Sequence, residues 1–189
     1  DKSIYSISEF VKSNIKNYRI ISNPGCYSTS IQIPLIPLIK KNLIKKYDIT
    51  IDSKSGYSGA GRNYLKKFRH KNFLNSTYAY STKKHRHISE IDQQIKKHTN
   101  KEILYSFNPH ILPTYRGILS SIYLRINKKI SAKRIRADLD KYYKKSTFVK
   151  VLKLNSEIGS GNVLNTNNCE ISVCETRLNN KIIIFSAID

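Results

Sequence analysis

The grouping of strand-like segments is the feature that most constrains the fold of this 189-residue chain. Alternation of apolar and polar residues, typical of half-buried strands, predicts a sheet of about five or six strands. The segments are residues 48–52, 102–113, 116–126, 147–152, 169–175 and 181–187. They cluster instead of alternating strictly with helices. This favours an α+β fold over a doubly wound parallel sheet.

Three other segments have the periodicity of helices. The first begins at Ser28, and its two interior prolines are expected to kink it. The second begins at Ser89, with Asp92 as its capping-box partner. The third has Ser131 as its N-cap. Its inward-facing residues are predicted to be Ile135, Leu139 and either Tyr142 or Tyr143.

The net charge of +21, from 34 Lys and Arg against 13 Asp and Glu, raises the possibility of a nucleic-acid partner. The lysines are scattered over the chain, however, and Ile, Asn and Tyr are abundant too. A compositional bias toward residues with AT-rich codons explains this pattern better. We therefore favour a protein without a nucleic-acid partner, and a basic nucleic-acid-binding module stays as the alternative.

The remaining composition bears on the compartment. No apolar run approaches the ~20 residues of a membrane span, and the first residues have no signal-peptide core. Three cysteines without a dense framework favour a reducing cytoplasm. The chain has no Met, even at position 1, so we expect a processed protein or a piece of a longer one.

The stretch "NPGCYSTS", residues 23–30, carries the main chemical signal. Pro24 and Gly25 predict a tight turn, after which Cys26 lies at or just before the first helical turn. Free N–H groups there favour an anion, which lowers the pKa of a thiol and makes a nucleophilic thiolate. The alternative is a buried structural cysteine.

The stretch "KKHRHISEI" supplies His85 and His87, and histidine is the residue best suited to exchange protons with a thiol near neutral pH. If the segment is extended, only one of the two faces the site. A zinc site built on them lacks convincing further ligands, so no metal is predicted. His70 and His98 lie among lysines and are predicted to be surface residues.

Two further stretches carry arginines that suit anion binding. The loop "SGYSGAGRN" matches neither a dinucleotide nor a Walker fingerprint, but its glycines allow close backbone approach and Arg62 can grip a carboxylate or phosphate. The loop may equally be an ordinary turn. In "PTYRGI", Arg116 lies at the mouth of a strand, where it is either a ligand or an edge arginine.

Four stretches in order resemble one family, N-acetyl-γ-glutamyl-phosphate reductase, a relative of aspartate-semialdehyde dehydrogenase. "NPGCYSTS" is similar to its Asn-Pro-Gly-Cys-Tyr-Pro-Thr motif, and "SGYSGAGR" to Ser-Gly-x-Ser-Gly-Ala-Gly-Arg. "HRHISEI" is similar to His-Arg-His-x-Pro-Glu-Ile, and "FNPHILPTYRGIL" to Phe-x-Pro-His-x-x-Pro-x-x-Arg-Gly-Ile-Leu. Together the motifs span most of the chain.

The resemblance implies NADPH-dependent reduction of N-acetylglutamyl 5-phosphate to the semialdehyde, with release of phosphate, in arginine biosynthesis. Cys26 would form a thioester, and His85, the first histidine of the motif, would exchange its protons. Arg62 and Arg116 would hold the substrate's carboxylate and phosphate. The residues expected to shape the rest of the pocket are Ser58, Tyr80, His87 and Glu90. Those expected to touch the NADP cofactor are Gly59, Ala60 and Gly61.

The departures from the family concern the ends of the chain and one motif. The family's N-terminal Rossmann domain and its C-terminal helix have no counterpart here, so residues 1–189 are expected to be a single catalytic and dimerisation domain. The motif Gly-Ser-Asn-x-Cys-Asp occurs as "NTNNCEI", residues 165–171, with Thr166 and Glu170 changed, and Ser28 replaces a proline. These changes concern substrate contacts.

The implied fold is that of glyceraldehyde-3-phosphate dehydrogenase-like catalytic domains: a mixed, mostly antiparallel sheet with helices on one face and dimerisation through the other. A homo-oligomer, dimer or tetramer, is therefore expected. Two alternatives remain within the family. One is a sister reductase for the aminoadipyl phosphate, which is one methylene longer. The other is a dimerisation module without activity.

Overall fold

The computed structural model describes residues 2–61 and 72–189, without the side chains of residues 12–14. Its strands are β1 (Ser3–Tyr5), β2 (Ile20–Ser22), β3 (Ile49–Ser55), β4 (Tyr78–Ala79), β5 (Tyr105–Ile111), β6 (Ile118–Arg125), β7 (Val149–Val151), β8 (Cys169–Glu175) and β9 (Lys181–Ile188). Its α-helices are α1 (Ser8–Val11), α2 (Cys26–Lys40), α3 (His87–Thr99) and α4 (Ala132–Tyr143). Single 3-10 turns include Tyr57–Ala60 and Ser160–Val163.

Seven strands form one sheet in the order β4-β5-β3-β6-β9-β8-β7. The β3–β5 and β7–β8 pairs are parallel, and the pairs β4–β5, β3–β6, β6–β9 and β8–β9 are antiparallel. The longest ladder joins β6 to β9, from Ile118 opposite Ile188 to Arg125 opposite Lys181. The mixed, mostly antiparallel sheet of an α+β fold is therefore confirmed.

Helix α2 lies at the centre of the molecule, packed on β6 and β9 and against α3 and α4. Its residues are buried on all sides from Ser30 to Ile39, which is typical of a helix inside a core. Pro34 and Pro37 lie within this single continuous helix. Each proline removes one backbone hydrogen bond, and the surrounding core outweighs that loss.

The sheet has two unlike faces. Along β3, Ile49, Ile51 and Ser53 are buried under the helices, whereas Asp52 and Lys54 point to the other face and are half-buried. Buried hydroxyls join the helix layer to the sheet, because Ser53 Oγ and Ser30 Oγ each lie 2.7 Å from Ser120 Oγ. The expected arrangement, with helices on one face, is confirmed.

The predicted element boundaries are partly wrong. Helix α3 begins at His87, two residues before Ser89, and Arg86 occupies its N-cap position without a side-chain cap. Ser89 Oγ donates to the Arg86 carbonyl instead, and Asp92 accepts from the Tyr105 hydroxyl. The capping box was therefore wrong. The Ser131 cap on α4 is confirmed by the 3.2 Å bond that Ser131 Oγ accepts from the Arg134 N–H.

Three short strands were not predicted. β1 and β2 pair in parallel near the start of the chain, and β4 adds two residues to the sheet edge. Within residues 2–61 and 72–189, no helix combines the length and the apolar character that a bilayer crossing requires.

Candidate active site

Helix α2 begins at Cys26, directly after Pro24 and Gly25. Gly25 is the N-cap residue, with φ −63° and ψ 162°, and being a glycine it has no side chain to cap the helix. A Cβ placed on Gly25 would lie 2.2 Å from His87 Nε2, so only glycine fits here. The predicted helix start at the cysteine is confirmed, whereas Gly25 has extended backbone and no tight turn precedes it. The His87 ring packs on the backbone just before the thiol.

Glu90, in the first turn of α3, holds the backbone at Gly25, just before Cys26. Its Oε2 accepts the Gly25 N–H at 3.0 Å and also a short hydrogen bond from the Tyr5 hydroxyl. Burial acts to raise the pKa of the Glu90 carboxyl, but the hydrogen bonds from Tyr5 and Gly25 outweigh it and lower that pKa. Glu90 therefore fixes the backbone that precedes the nucleophile candidate and remains a carboxylate at neutral pH.

The pKa of the Cys26 thiol is raised, mainly because burial disfavours the thiolate. The backbone N–H groups of Tyr27 and Cys26 and the charge of Arg86 act in the lowering direction, as expected at a helix start. Glu90 acts in the raising direction. The expected lowering of the thiol pKa was therefore wrong for this domain, because burial raises the pKa by more than the nearby donors lower it.

His85 and His87 pack against each other with ring centroids 4.7 Å apart, and the His87 backbone N–H donates to His85 Nδ1 at 3.2 Å. Both side chains are buried. Burial, followed by the neighbouring His87 and Arg86, lowers the pKa of His85 to about 4. Burial also lowers the pKa of His87. Both imidazoles are therefore neutral at pH 7.

Tyr27, the residue after Cys26, contacts both histidines. Its ring makes edge contacts with His85 at 5.6 Å and with His87 at 5.8 Å between centroids. The Tyr80 ring lies 5.5 Å from His85, and the Tyr80 hydroxyl donates to that of Tyr27 at 3.4 Å. Tyr80, predicted to shape the pocket, thus lies beside the candidate acid–base histidine.

Cys26 and His85 line different clefts. The thiol cleft, of about 570 Å³, is lined by Cys26, Asn167, Asn168, Cys169 and Asp189 among others. The histidine cleft, of about 350 Å³, is lined by Gly59, Ala60, Tyr80, His85, Arg86 and a few neighbours. In the described part of the chain no hydrogen bond joins Cys26 Sγ to either histidine. The Cys26 thiol and the His85 imidazole therefore lie on separate clefts and share no hydrogen bond in the described residues.

The glycine-rich loop docks on the loop before β6. The N–H groups of Gly56, Tyr57 and Ser58 donate to the carbonyls of residues 117, 114 and 115, at 2.8, 3.0 and 2.9 Å. Ser58, Gly59 and Ala60 form a 3-10 turn, and Gly61 follows with φ +84°. The structure therefore brings two of the predicted motifs, around Ser58 and Arg116, into direct contact. Arg62 lies outside the described residues.

Arg116 is half-exposed, and its Nε donates to the carboxylate of Asp189, whose side chain is only 5% exposed. Asp189 in turn lines the thiol cleft. The predicted substrate role of Arg116 stays a prediction, because part of its guanidinium is already engaged by the protein.

Sequence reasoning missed four residues at the site: Tyr5, Asn167, Asn168 and Asp189. The two asparagines belong to the stretch 165–171, which was noted only for its departures from a family motif. Tyr5 and Asp189 carried no local signal, because their partners lie 85 and 73 residues away in the chain. His98 was predicted at the surface but is half-buried and stacks on Phe10, with ring centroids 5.1 Å apart.

Comparisons with known proteins show which proteins the whole chain resembles. Residues 26–189 match a family model described as "Semialdehyde dehydrogenase, dimerisation domain". The chain is 38% identical over 188 residues to the N-acetyl-gamma-glutamyl-phosphate reductase of Afipia carboxidovorans, covering 100% of this chain and 53% of that protein. It is 41% identical over 189 residues to the enzyme of that name from Clostridium botulinum, covering 55% of it. A probable chloroplastic reductase of Arabidopsis thaliana is 37% identical over 186 residues, with 98% of this chain and 46% of that protein covered.

The chain spans about half the length of the curated relatives it matches. Among solved structures, aspartate semialdehyde dehydrogenase from Francisella tularensis superposes with a TM-score of 0.74 at 11% identity, over 99% of this chain and 66% of that one. At that identity the superposition supports the fold. The family match, which covers all but the first 25 residues, goes further, and the chain belongs to the semialdehyde dehydrogenase dimerisation-domain family.

Proposed function

We propose that this chain is the catalytic and dimerisation part of an N-acetyl-γ-glutamyl-phosphate reductase, which reduces an acyl phosphate to an aldehyde. The observation that carries the proposal is Cys26 at the first residue of α2, on a cleft and in a turn held by Glu90. The names of its relatives support the substrate class. In this proposal residues 1–189 are one domain, and the nucleotide-binding Rossmann half is supplied by the rest of the protein.

In the first step, Cys26 gives its proton to His85 and Sγ attacks the acyl carbon. The C–S bond forms, the bond from carbon to the phosphate oxygen breaks, and phosphate leaves with the electron pair. The product is a thioester. The neutral state of His85 at pH 7 supports its role as acceptor. Because the two groups line separate clefts, we expect substrate or the rest of the protein to bring them closer.

The oxygen of the acyl group needs donors as charge develops on it. Free N–H groups at the start of α2, those of Cys26 and Tyr27, suit this role. Once the thioester carbon has accepted hydride, its oxygen takes the proton that His85 received from Cys26, which gives a thiohemiacetal and a neutral His85. The thiohemiacetal then collapses: the C–S bond breaks, sulfur leaves as thiolate with the electron pair, and the hydroxyl proton passes back to His85, from which the thiolate regains it. The net change is a two-electron reduction of the acyl carbon.

A reduced nicotinamide, when bound, supplies the hydride for this reduction. The residues that line the thiol cleft fit its carboxamide, because Asn167 and Asn168 offer amide donors and acceptors beside Cys26. Gly59, Ala60 and Gly61 fit an approaching phosphate, and a Cβ placed on Gly61 would meet nothing within 4 Å. Preference for NADP over NAD belongs to the proposal as well.

We assign Arg62, Arg116, Ser58, Tyr80, His87 and Glu90 to the substrate pocket or its support. Glu90 and His87 act on the Cys26 turn, Tyr80 lies beside His85, and Ser58 and Arg116 lie in the docked loops. We expect the anionic groups of the substrate near Arg62.

A second copy of the chain is proposed to cover the helix-free face of the sheet. Half-buried Lys54, His110 and Asp52 form a charged cluster there, with Asp52 Oδ1 3.4 Å from His110 Nδ1. The half-buried aromatic ring of Phe185 lies on the same face. The family description supports homo-oligomerisation. The three free cysteines support a reducing compartment such as the cytoplasm.

The complete polypeptide tests the proposal in the reverse direction, with N-acetylglutamate semialdehyde, NADP and phosphate. We expect phosphate-dependent formation of NADPH. The same assay with the aminoadipate semialdehyde, one methylene longer, decides between the two reductases, because a single methylene is worth about 10- to 200-fold in specificity. Absence of phosphate-dependent turnover with both substrates would overturn the proposal.

A further inference from the structure

Arg116 has a structural role that its position in the sequence does not reveal. We propose that Arg116 is a positioning residue which acts through Asp189 to hold residues 164–168, the asparagine loop, as a wall of the thiol cleft. This inference rests on the proposed function for its catalytic consequence. Its structural part stands on contacts within the described chain.

The carboxylate of Asp189 joins the two partners. One oxygen accepts from Arg116 Nε, and the other accepts the backbone N–H of Asn165 at 3.0 Å. The Asp189 side chain is 5% exposed, and buried polar atoms need hydrogen-bond partners of this kind. Arg116 therefore orients the Asp189 carboxylate, and Asp189 in turn holds Asn165, whose backbone is in the left-handed conformation with φ +59°.

The asparagine loop carries the anchoring from Asn165 to the cleft. Thr166 Oγ1 donates to the Val163 carbonyl at 2.7 Å and accepts the Asn168 N–H at 3.1 Å. The loop therefore has its own internal bonds and is tied to the sheet end through Asp189. Asn167, Asn168 and Asp189 all line the thiol cleft with Cys26. A shift of Asp189 would move the wall that faces the thiol.

Arg116 also belongs to the loop on which the glycine-rich segment docks. Its neighbours Tyr115 and Gly117 accept hydrogen bonds from the N–H groups of Ser58 and Gly56. The Arg116–Asp189 pair therefore links two walls of the candidate site, one built from residues 56–61 and the other from the asparagine loop. A residue that only bound the substrate would need neither link.

The opposite end of β6 provides a matched control. There Arg125 Nε donates to Asp48 Oδ2 at 2.6 Å, so the same type of pair occurs at both ends of one strand. Asp48 is exposed, however, and neither residue lines the thiol or the histidine cleft. A substitution at Arg125 tests the loss of an arginine–aspartate pair without touching the site.

Kinetics of the complete enzyme distinguish a positioning role of Arg116 from a substrate-binding role. In Arg116→Ala, Asp189→Ala and the double variant we expect kcat to fall about tenfold in each, with KM changed less than about threefold. The double variant loses no more than either single one, because both remove the same link. Arg116→Lys keeps the charge without Nε and restores kcat in part, whereas Arg125→Ala leaves kcat unchanged. Circular dichroism checks the fold of each variant.

Hydrogen exchange tests the same link without catalysis. We expect the amides of residues 164–168 to exchange faster in Arg116→Ala and in Asp189→Ala, to the same extent, and to be unaffected in Arg125→Ala. Unchanged exchange in Arg116→Ala overturns the inference. A rise of tenfold or more in KM at constant kcat, with additive losses in the double variant, overturns it in favour of a substrate ligand. If the wild-type enzyme lacks the proposed activity, exchange still decides this inference, so the two failures are distinguishable.

Discussion

Cys26 and Cys169 line the same cleft, yet they have different surroundings. Cys26 is the first residue of a helix, and backbone N–H groups and Arg86 act against the rise that burial imposes on its pKa. Cys169 is the first residue of strand β8, is 3% exposed and has Ser186 Oγ 3.5 Å from its sulfur. Burial raises the pKa of Cys169 to about 12. The start of a helix offers a thiolate free donors, and the start of a paired strand does not.

The difference shows that reactivity depends on donors more than on access to the cleft. Within a sheet the N–H groups bond to the neighbouring strand, as Cys169 N–H does with the Phe148 carbonyl at 2.8 Å. In the first turn of α2 the N–H groups have no carbonyl partner within the helix. A third thiol, Cys174, lies half-buried on the helix-free face near Ser172. We therefore expect only Cys26 to act as a nucleophile.

The largest expected effect is on turnover. Cys26→Ser in the complete enzyme should lower kcat by at least about a thousandfold, because the hydroxyl is a far weaker nucleophile at neutral pH. Cys169→Ser is the matched control, since it changes the same atoms on the same cleft. It should keep kcat within about threefold while lowering the melting temperature, because a hydroxyl replaces a buried thiol. Equal loss in both variants would contradict the assignment of Cys26.

The next effect concerns His85, the proposed proton acceptor for Cys26 and not for Cys169. His85→Asn should lower kcat/KM about 100-fold, the usual contribution of general acid–base catalysis. His98→Asn is the control, because burial likewise lowers the pKa of His98, which packs on Phe10 instead of beside Tyr27. If both variants lose activity alike, the effect is structural and His85 has no catalytic role.

Much of the fold was predictable, because it depends on local patterns. Alternation in the sequence located β8 and β9 almost to the residue, and Ser131 marked the start of α4. β1, β2 and β4 were missed because segments of two or three residues have no detectable period. The interior prolines of α2 weakened its prediction, since the core that stabilises the helix is a tertiary feature.

The site was predictable only as a set of separate motifs. The start of α2 at Cys26 followed from Pro-Gly, and the histidines followed from their chemistry. The direction of the thiol's pKa shift did not follow, because burial depends on Tyr27, Tyr80 and the surrounding core. The Arg116–Asp189 pair and the bond from Gly25 to Glu90 join residues 73 and 65 positions apart, and no local pattern marks either.

Acid stability gives the third prediction and depends on the histidines beside the Cys26 turn. The folded pKa of His85, about 4, lies below its ordinary value of 6.5, so the unfolded chain binds more protons between these values. The free energy of unfolding should therefore fall as pH drops from 6.5 to 4, by about 1–2 kcal/mol after allowance for screening by water. Below that range the contribution of His85 is constant.

Urea unfolding at several pH values measures this loss in the wild type and in His85→Asn. We expect the variant to have a flatter dependence on pH between 6.5 and 4. His87, whose pKa is lowered in the same direction, should retain part of the slope. A slope that is equal in both proteins would show that His85 is protonated in the folded state, contrary to its buried position.

The smallest effect tests the charges that act on one thiol and not on the other. Glu90 raises the pKa of Cys26 and Arg86 lowers it, whereas the charges acting on Cys169 are Glu9 and Glu170. Glu90→Gln keeps an acceptor for the Gly25 N–H and removes only the charge. It should speed alkylation of Cys26 by iodoacetamide about two- to fivefold at fixed neutral pH, and Arg86→Gln should slow it by a similar factor.

Peptide mass spectrometry of the same samples follows Cys169, which should react slowly and at an unchanged rate in both variants. This internal reference separates an electrostatic effect from a general loosening of the cleft, which would expose both thiols together. Opposite changes at Cys26 with a constant Cys169 mean that the charges of Glu90 and Arg86 set the thiolate population. If Glu90→Gln slows alkylation instead, the hydrogen bond from Gly25 depends on the full carboxylate, and the geometry of the turn controls the thiol more strongly than the charge.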